Sequence, residues 1–156
     1  MELIASTMLQ ILAGTWFVVS TNFPMWLKGD NTNPAFNYTI EERNTKTVLF
    51  DEVTYIKKGK SKSIKGHDFQ DIDNPNAFTW KGKGLLRIAK SKWEVKLIDE
   101  DHQWAVIYFS KTLFTPEGVD IISREAVMSP ETLSEIKEKM AADTDLKEHI
   151  SSLKEL

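Results

Sequence analysis

With 156 residues, 41% of them hydrophobic, the chain can bury a core of its own, and one domain is the default. Its 20 basic and 23 acidic side chains leave a net charge of −3, which provides no field to attract phosphate backbones and argues against nucleic acid as a partner. The absence of cysteine removes disulfides, thiolate metal sites and cysteine nucleophiles, and fits a reducing compartment.

Residues 1–13 read as a short N-terminal helix, because Leu3, Ile4, Met8, Ile11 and Leu12 fall at helical spacing. Glu2 stands where an export signal would carry a cation, and no long apolar run follows. The chain as it stands therefore reads as cytoplasmic, and as periplasmic or secreted if a signal was trimmed.

From residue 14 to 125 the period changes from about 3.6 to 2, the mark of β-strands. Apolar or β-branched runs occupy Trp16–Thr21, Phe36–Glu41, Thr47–Ile56, Ser63–Phe69, Ala77–Lys81, Trp93–Ile98, Trp104–Ser110 and Val119–Arg124. The run Leu85–Ala89 reads as a continuation of the strand before it through a bulge at Gly82 and Gly84. Turn-forming clusters such as Arg43–Lys46, Lys57–Lys60, Asp99–His102 and Thr115–Gly118 separate most of the runs, which implies an antiparallel meander. One linker, Asn22–Ala35, is far longer than a hairpin loop. It carries Phe23, Met25, Trp26 and Leu27, too apolar for a solvated connection, and is expected to fold down as a lid.

Residues 129–156 return to helical spacing. Ser129 is placed to cap, Pro130 suits the first helical position, and Glu131 complements the dipole. Leu133, Ile136 and Met140 form one stripe, and a second short helix from Asp143 aligns Leu146, Ile150 and Leu153. Because Trp104–Phe109 and Val119–Ile122 are apolar on both faces, the first of these helices is expected to pack outside the last two strands. Eight antiparallel strands are most simply closed into a barrel, which removes exposed edges and leaves room for one small ligand. The expected class is all-β.

Gly14-Thr15-Trp16 directly after a helix, the acidic turn and apolar strand Ile98-Asp99-Glu100-Asp101-His102-Gln103-Trp104-Ala105-Val106-Ile107, and Ile121-Ile122-Ser123-Arg124 resemble, in order and spacing, the three motifs of the lipocalins within the calycin superfamily. The likeness spans nearly the whole chain and is strongest, from Trp93 to Met140, to bacterial and plant members, with Asn37-Tyr38-Thr39-Ile40 fitting that group's second strand. The resemblance implies a tight entry at Gly14, a floor plug at Trp16 and a guanidinium from Arg124 stacked over that indole. His102 stands where the second motif usually has tyrosine, and the family's common disulfide cannot form. Gly14-Thr15-Trp16-Phe17 with Asn22-Phe23 and Lys28-Gly29 also resembles intracellular fatty-acid-binding proteins, but those end in a strand rather than a helix.

The resemblance implies binding or transport of a small hydrophobic ligand, such as a fatty acid or lysolipid, inside the barrel. Candidate ligand contacts are Phe23, Met25 and Trp26 in the lid and Phe36, Tyr38, Phe50, Phe78, Trp80, Trp93, Val95, Trp104 and Tyr108 in the strands. Ile40 and Leu97 share strand faces with Phe36 and Trp93, opposite Asn37, Glu94 and Lys96. Lys65, His67 or Arg87 would meet an anionic head. No cofactor is implied, and the chain would meet a membrane only as donor or acceptor of lipid.

Catalytic signals are weak. Gly59-Lys60-Ser61 mimics the end of a phosphate loop, yet Thr54 stands where its first glycine should be, so a hairpin explains it better. His67, His102 and His149 lack ligand spacing and are expected at the surface or mouth, with no metal. The acidic groups at Glu41-Glu42 and Asp99-Glu100-Asp101 read as solvated turns. No nucleophile elbow is present, and Asn37-Tyr38-Thr39, a glycosylation sequon, falls in a strand. The alternatives are a lipocalin-fold enzyme of isomerase or hydratase type, a carrier like the fatty-acid-binding proteins, and a protein-binding module with a filled barrel.

Overall fold

The computed structural model describes residues 6–84, 90–113 and 115–156. The first helix, α1 (Thr7–Leu12), starts where the Ser6 side chain accepts from the Leu9 amide at 3.3 Å, which satisfies one of the N–H groups that a first turn leaves open. Its buried residues, Leu9 and Leu12, join the barrel interior. Leu3 and Ile4, expected in the same helix, lie outside the described residues.

Eight strands follow: β1 (Gly14–Thr21), β2 (Asn31–Arg43), β3 (Lys46–Lys57), β4 (Lys60–Gln70), β5 (Ala77–Gly82), β6 (Lys90–Ile98), β7 (Trp104–Phe109) and β8 (Gly118–Ser123). Each pairs antiparallel with the next, and β1 pairs with both β2 and β8, so the sheet closes on itself. This is the eight-stranded up-and-down barrel that the meander implied. The β2–β3 and β3–β4 connections are two-residue turns with positive φ at both positions, 49° and 67° at Asn44 and Thr45, 52° and 75° at Lys58 and Gly59. That handedness matches the twist of the flanking strands. The hairpin reading of Gly59-Lys60-Ser61 is thereby the structural one. The run Leu85–Ala89 lies outside the described residues.

The lid is shorter than its spacing suggested. A single helical turn, α2 (Pro24–Leu27), follows β1, and β2 already begins at Asn31, which pairs with Lys57. The turn-forming residues Asn31–Pro34 hid this stretch of strand. A register shift between Thr32 and Ala35, with Asn33 at φ 54°, lets the sheet accept Pro34.

Helix α3 (Pro130–Ala141) is capped by Ser129, whose side chain accepts from the Thr132 amide, with Pro130 in its first turn. Its buried Leu133, Ile136 and Met140 pack with Val19, Trp104, Val106, Val119 and Ile121 in an outer core, as the doubly apolar strands required. Beyond it, Lys147–Ser152 form a 3-10 helix where a second short helix was expected, and β9 (Lys154–Glu155) pairs with the upper end of β1. The barrel thus has an inner core within the sheet and an outer one beneath α3.

Candidate functional site

At the floor, Arg124 lies 3.6 Å from the centre of the Trp16 ring system. Its Nη2 donates to the Ile11 and Ala13 carbonyls at 2.6 and 3.0 Å, and Nη1 donates to the Thr15 carbonyl at 3.0 Å. The Trp16 indole N–H donates to the Leu12 carbonyl at 2.9 Å. Helix α1 therefore ends on a cation, which suits the negative end of its backbone dipole, and the plug has its polar groups paired. Gly14 sits at φ 107° with the guanidinium 3.0 Å from where a Cβ would stand, so the tight entry there needs glycine.

Above the floor is a cavity of about 190 Å³ lined by Phe36, Tyr38, Asp51, Val53, Trp80, Ser91, Trp93 and Phe109. Trp93 is the centre of its wall: Phe78 stacks on one side at 4.4 Å and Tyr38 at 5.8 Å, both within 18° of parallel. Trp80 can lie flat across β4 only because residue 66 is glycine, since a Cβ there would be 2.4 Å from the indole nitrogen. The lid closes the mouth with aromatic contacts. Phe23 meets Phe109 edge-on at 5.3 Å, and buried Trp26 meets Tyr55 at 5.6 Å.

Three carboxyls occupy this interior. Asp51 is 5% exposed, Asp68 and Asp120 no more than 1%. Trp93 Nε1 donates to Asp68 Oδ1 at 2.9 Å, and Thr21 Oγ1 donates to Asp120 Oδ1 at 2.6 Å. Asp51 and Asp68 are near neighbours, and burial, the largest cause, raises both, Asp51 to about 6. Asp51 Oδ1 and Asp68 Oδ2 have no hydrogen-bond partner. Burial likewise pushes Asp120 up to about 7, against the lowering effect of its bond from Thr21. Tyr38 is raised by burial first and then by the three carboxylates. No cationic side chain lines the cavity among the described residues.

Of the expected ligand contacts, Phe36, Tyr38, Trp80 and Trp93 line the cavity, while Phe78 and Val95 belong to the inner core behind it. Phe23 and Trp26 close the mouth, whereas Met25 and Leu27, each 38% exposed, point to solvent instead of folding inward. Phe50 is a correction: it alternates with inward Leu49 and Asp51 and packs outside against His67. Trp104 and Tyr108 also face outward, into the core beneath α3, because their strand is apolar on both sides and inward positions fall to Ala105 and Ile107. A register shift between Val95 and Leu97 turns Leu97 outward too, and Ile40 is exposed below the floor.

The expected anion contacts fail for the same reason. Lys65 and His67 alternate with Gly66 and Asp68 and so face outward, Lys65 into solvent and His67 against Glu41 at 3.3 Å; Arg87 lies outside the described residues. His67 and His149 are buried rather than at the surface, and His102 is exposed in a turn at φ 57°. Glu117, Glu148 and His149 bring potential ligand atoms within 4.8 Å, yet both imidazole nitrogens are already engaged, by Asn22 at 3.0 Å and Glu117 at 2.9 Å. Asp51, Val53, Ser91 and Phe109, which line the cavity, and Asp68 behind Asp51 are not among the expected contacts. The available signal was the alternation Leu49-Asp51-Val53, in which an acid takes its turn on an apolar face.

A family model described as a lipocalin-like domain matches residues 9–149. No curated protein matches the chain. Among solved structures, insecticyanin from the tobacco hornworm Manduca sexta superposes with a TM-score of 0.71 at 14% identity, over 94% of this chain and 78% of its own. The cockroach allergen Per a 4 gives 0.68 at 13% identity, over 99% and 90%. The siderocalin Ex-FABP gives 0.66 at 16%, over 94% and 93%. The finer likeness to bacterial and plant members gains no support from these structures.

Proposed function

We propose, from the premise that this chain belongs to the lipocalin-like domain family, that its barrel takes up one small, largely apolar molecule, with α2 as the closing flap. The observation that carries this reading is the cavity of about 190 Å³ walled by Phe36, Tyr38, Trp80, Trp93 and Phe109. Burying apolar ligand surface there contributes roughly 25 cal/mol per Å², which makes shape and aromatic contact the main source of affinity. Structures with the same fold include a siderocalin that functions through dual ligand specificities.

Size argues for a compact ligand over the long acyl chain of a fatty acid or lysolipid. An empty cavity of about 150 Å³ accommodates benzene, so this one suits a molecule of one or two rings. Family membership favours binding over catalysis, since lipocalins are in general binding and transport proteins.

Tryptophan fluorescence and native mass spectrometry test this with small aromatic probes. One equivalent of retained probe, with quenching that saturates and is lost in Trp93→Leu, is the expected result. No saturable binding of any small apolar probe would overturn it.

A further inference from the structure

The cavity wall contains one feature that apolar ligand burial leaves unexplained. Asp51 sits on that wall almost wholly buried, with Oδ1 unpartnered, and Asp68 behind it has Oδ2 in the same condition. A buried carboxylate is costly unless a cation or several donors compensate it. The floor of this same barrel pairs its half-buried cation with three carbonyls and an indole face, so the fold can satisfy a charge when the charge serves structure. At Asp51 it does not, and the uncompensated group borders empty space.

Resting on the reading of the cavity as a binding site, we propose that it selects a small organic ammonium: a one-ring arylalkylamine whose –NH3+ meets Asp51 while its ring lies among Trp80, Trp93 and Phe109. The ammonium supplies the countercharge and the donors that the Asp51–Asp68 pair lacks. The surrounding ring faces add to its preference, because aromatic quadrupoles attract a cation brought within about 6 Å. Ser91 and Tyr38, also on the wall, offer hydroxyls for the remaining ammonium protons. An anionic ligand of the same shape would instead bring a second negative charge against Asp51, with no cation among the described residues of the wall to meet it. Selection would therefore run opposite to that of a fatty-acid carrier.

Three probes of nearly equal shape separate these cases: 2-phenylethylamine, ethylbenzene and 3-phenylpropionate, each titrated into the full chain and read by tryptophan fluorescence excited where the probes do not absorb. The amine is expected to bind at least about tenfold tighter than ethylbenzene, and 3-phenylpropionate more weakly than either. In Asp51→Asn the amine's advantage should shrink to about threefold or less, while ethylbenzene affinity stays within about twofold. Equal affinity for amine and ethylbenzene in the unaltered protein, or tightest binding by the carboxylate, overturns the ammonium proposal and leaves the cavity reading standing. If none of the three binds, both fall. The comparison within the unaltered chain needs no variant to fold. Phe50→Ala, on the outer face, is the control expected to leave all three affinities unchanged.

Discussion

The floor and the cavity of this barrel are built from the same materials, aromatic rings beside a charge, half-buried at the floor and buried in the cavity, and they treat the charge in opposite ways. At the floor the Arg124 guanidinium stacks on Trp16 and donates to three backbone carbonyls. In the cavity wall Asp51, and Asp68 behind it, each leave a buried oxygen without a hydrogen-bond partner. A satisfied charge holds a fold together; an unsatisfied one beside a void is tolerated at the expense of stability, which is how binding sites commonly differ from scaffolds. Substitutions at the two places should therefore differ in sign as well as size.

The largest effect belongs to the floor. Trp16→Ala removes a fully buried indole and leaves Arg124 without its stacking face, and should cost about 3–5 kcal/mol in chemical denaturation. A loss below about 1 kcal/mol would mean that the plug is not structural, and the contrast would break at its stronger end. Next comes the outer core. Ile136→Ala, fully buried beneath α3, should cost about 2–5 kcal/mol while leaving the affinity of any bound probe unchanged. A change in affinity on that substitution would show that the two cores are coupled through the sheet.

These two regions were also the most legible in the sequence. Gly14, Trp16 and Arg124 are short-range or motif-borne features, and the stripe Leu133-Ile136-Met140 follows from helical period alone. The cavity was less legible, for a geometric reason. Alternation says which residues of a strand share a face but not which face is inside, and in β7 both faces are apolar, so large Trp104 and Tyr108 drew attention that belonged to Ala105, Ile107 and Phe109. A bulge is equally silent: the shift after Val95 reverses Leu97 without a glycine or proline to announce it. Asp51 and Asp68 were missed because a charge in a strand is ordinarily on the wet side, and these two are where that rule fails.

A third prediction sharpens the contrast by pH. An ordinary aspartate titrates near 4, whereas burial raises Asp51 to about 6 and Asp120 to about 7 in the folded chain. Between about pH 4 and 7 the folded protein therefore holds protons that the unfolded chain has released, so stability falls as pH rises through that window. The groups facing these acids are Tyr38, which stays neutral there, Asp68, which is raised in the same direction, and the donors Thr21 and Trp93. His67 opposes them, because burial lowers it and the unfolded chain takes up its proton first as the medium is acidified. With several acids against one imidazole, unfolding free energy without ligand should be larger at pH 5.5 than at 7.5 by about 1–3 kcal/mol. Asp120→Asn should flatten that slope. A stability that drops on acidification over this range would refute the reading of the interior acids as uncompensated.

The smallest effect is the most discriminating, because it sets two carboxylate-to-amide changes against each other. Glu117, on the outer side of the barrel, accepts from Tyr108 Oη at 2.7 Å and faces His149 Nε2 at 2.9 Å. Asn22 orients the imidazole: its Oδ1 accepts from the Val119 amide, so its Nδ2 donates to His149 Nδ1, and Nε2 is left to carry the hydrogen toward Glu117. Both carboxylate oxygens are thus in use, and the two bonds hold Glu117 below the usual carboxylate range, the one from Tyr108 foremost. In Glu117→Gln the amide nitrogen must face one of these donors, so one bond is lost. With the Glu117 side chain 37% exposed, solvent replaces much of it, and the expected cost is about 0.5–1 kcal/mol. The Tyr108 hydroxyl, pushed up to about 12 by burial first and by Glu117 second, should then titrate at lower pH, readable from phenolate absorbance. Asp51→Asn makes the same chemical change on an unsatisfied group and should raise stability at pH 7.5, because it removes a buried charge that has no cation beside it among the described residues. If both variants lose stability equally, Asp51 is as well compensated as Glu117, and the cavity has no unmet charge to offer a ligand.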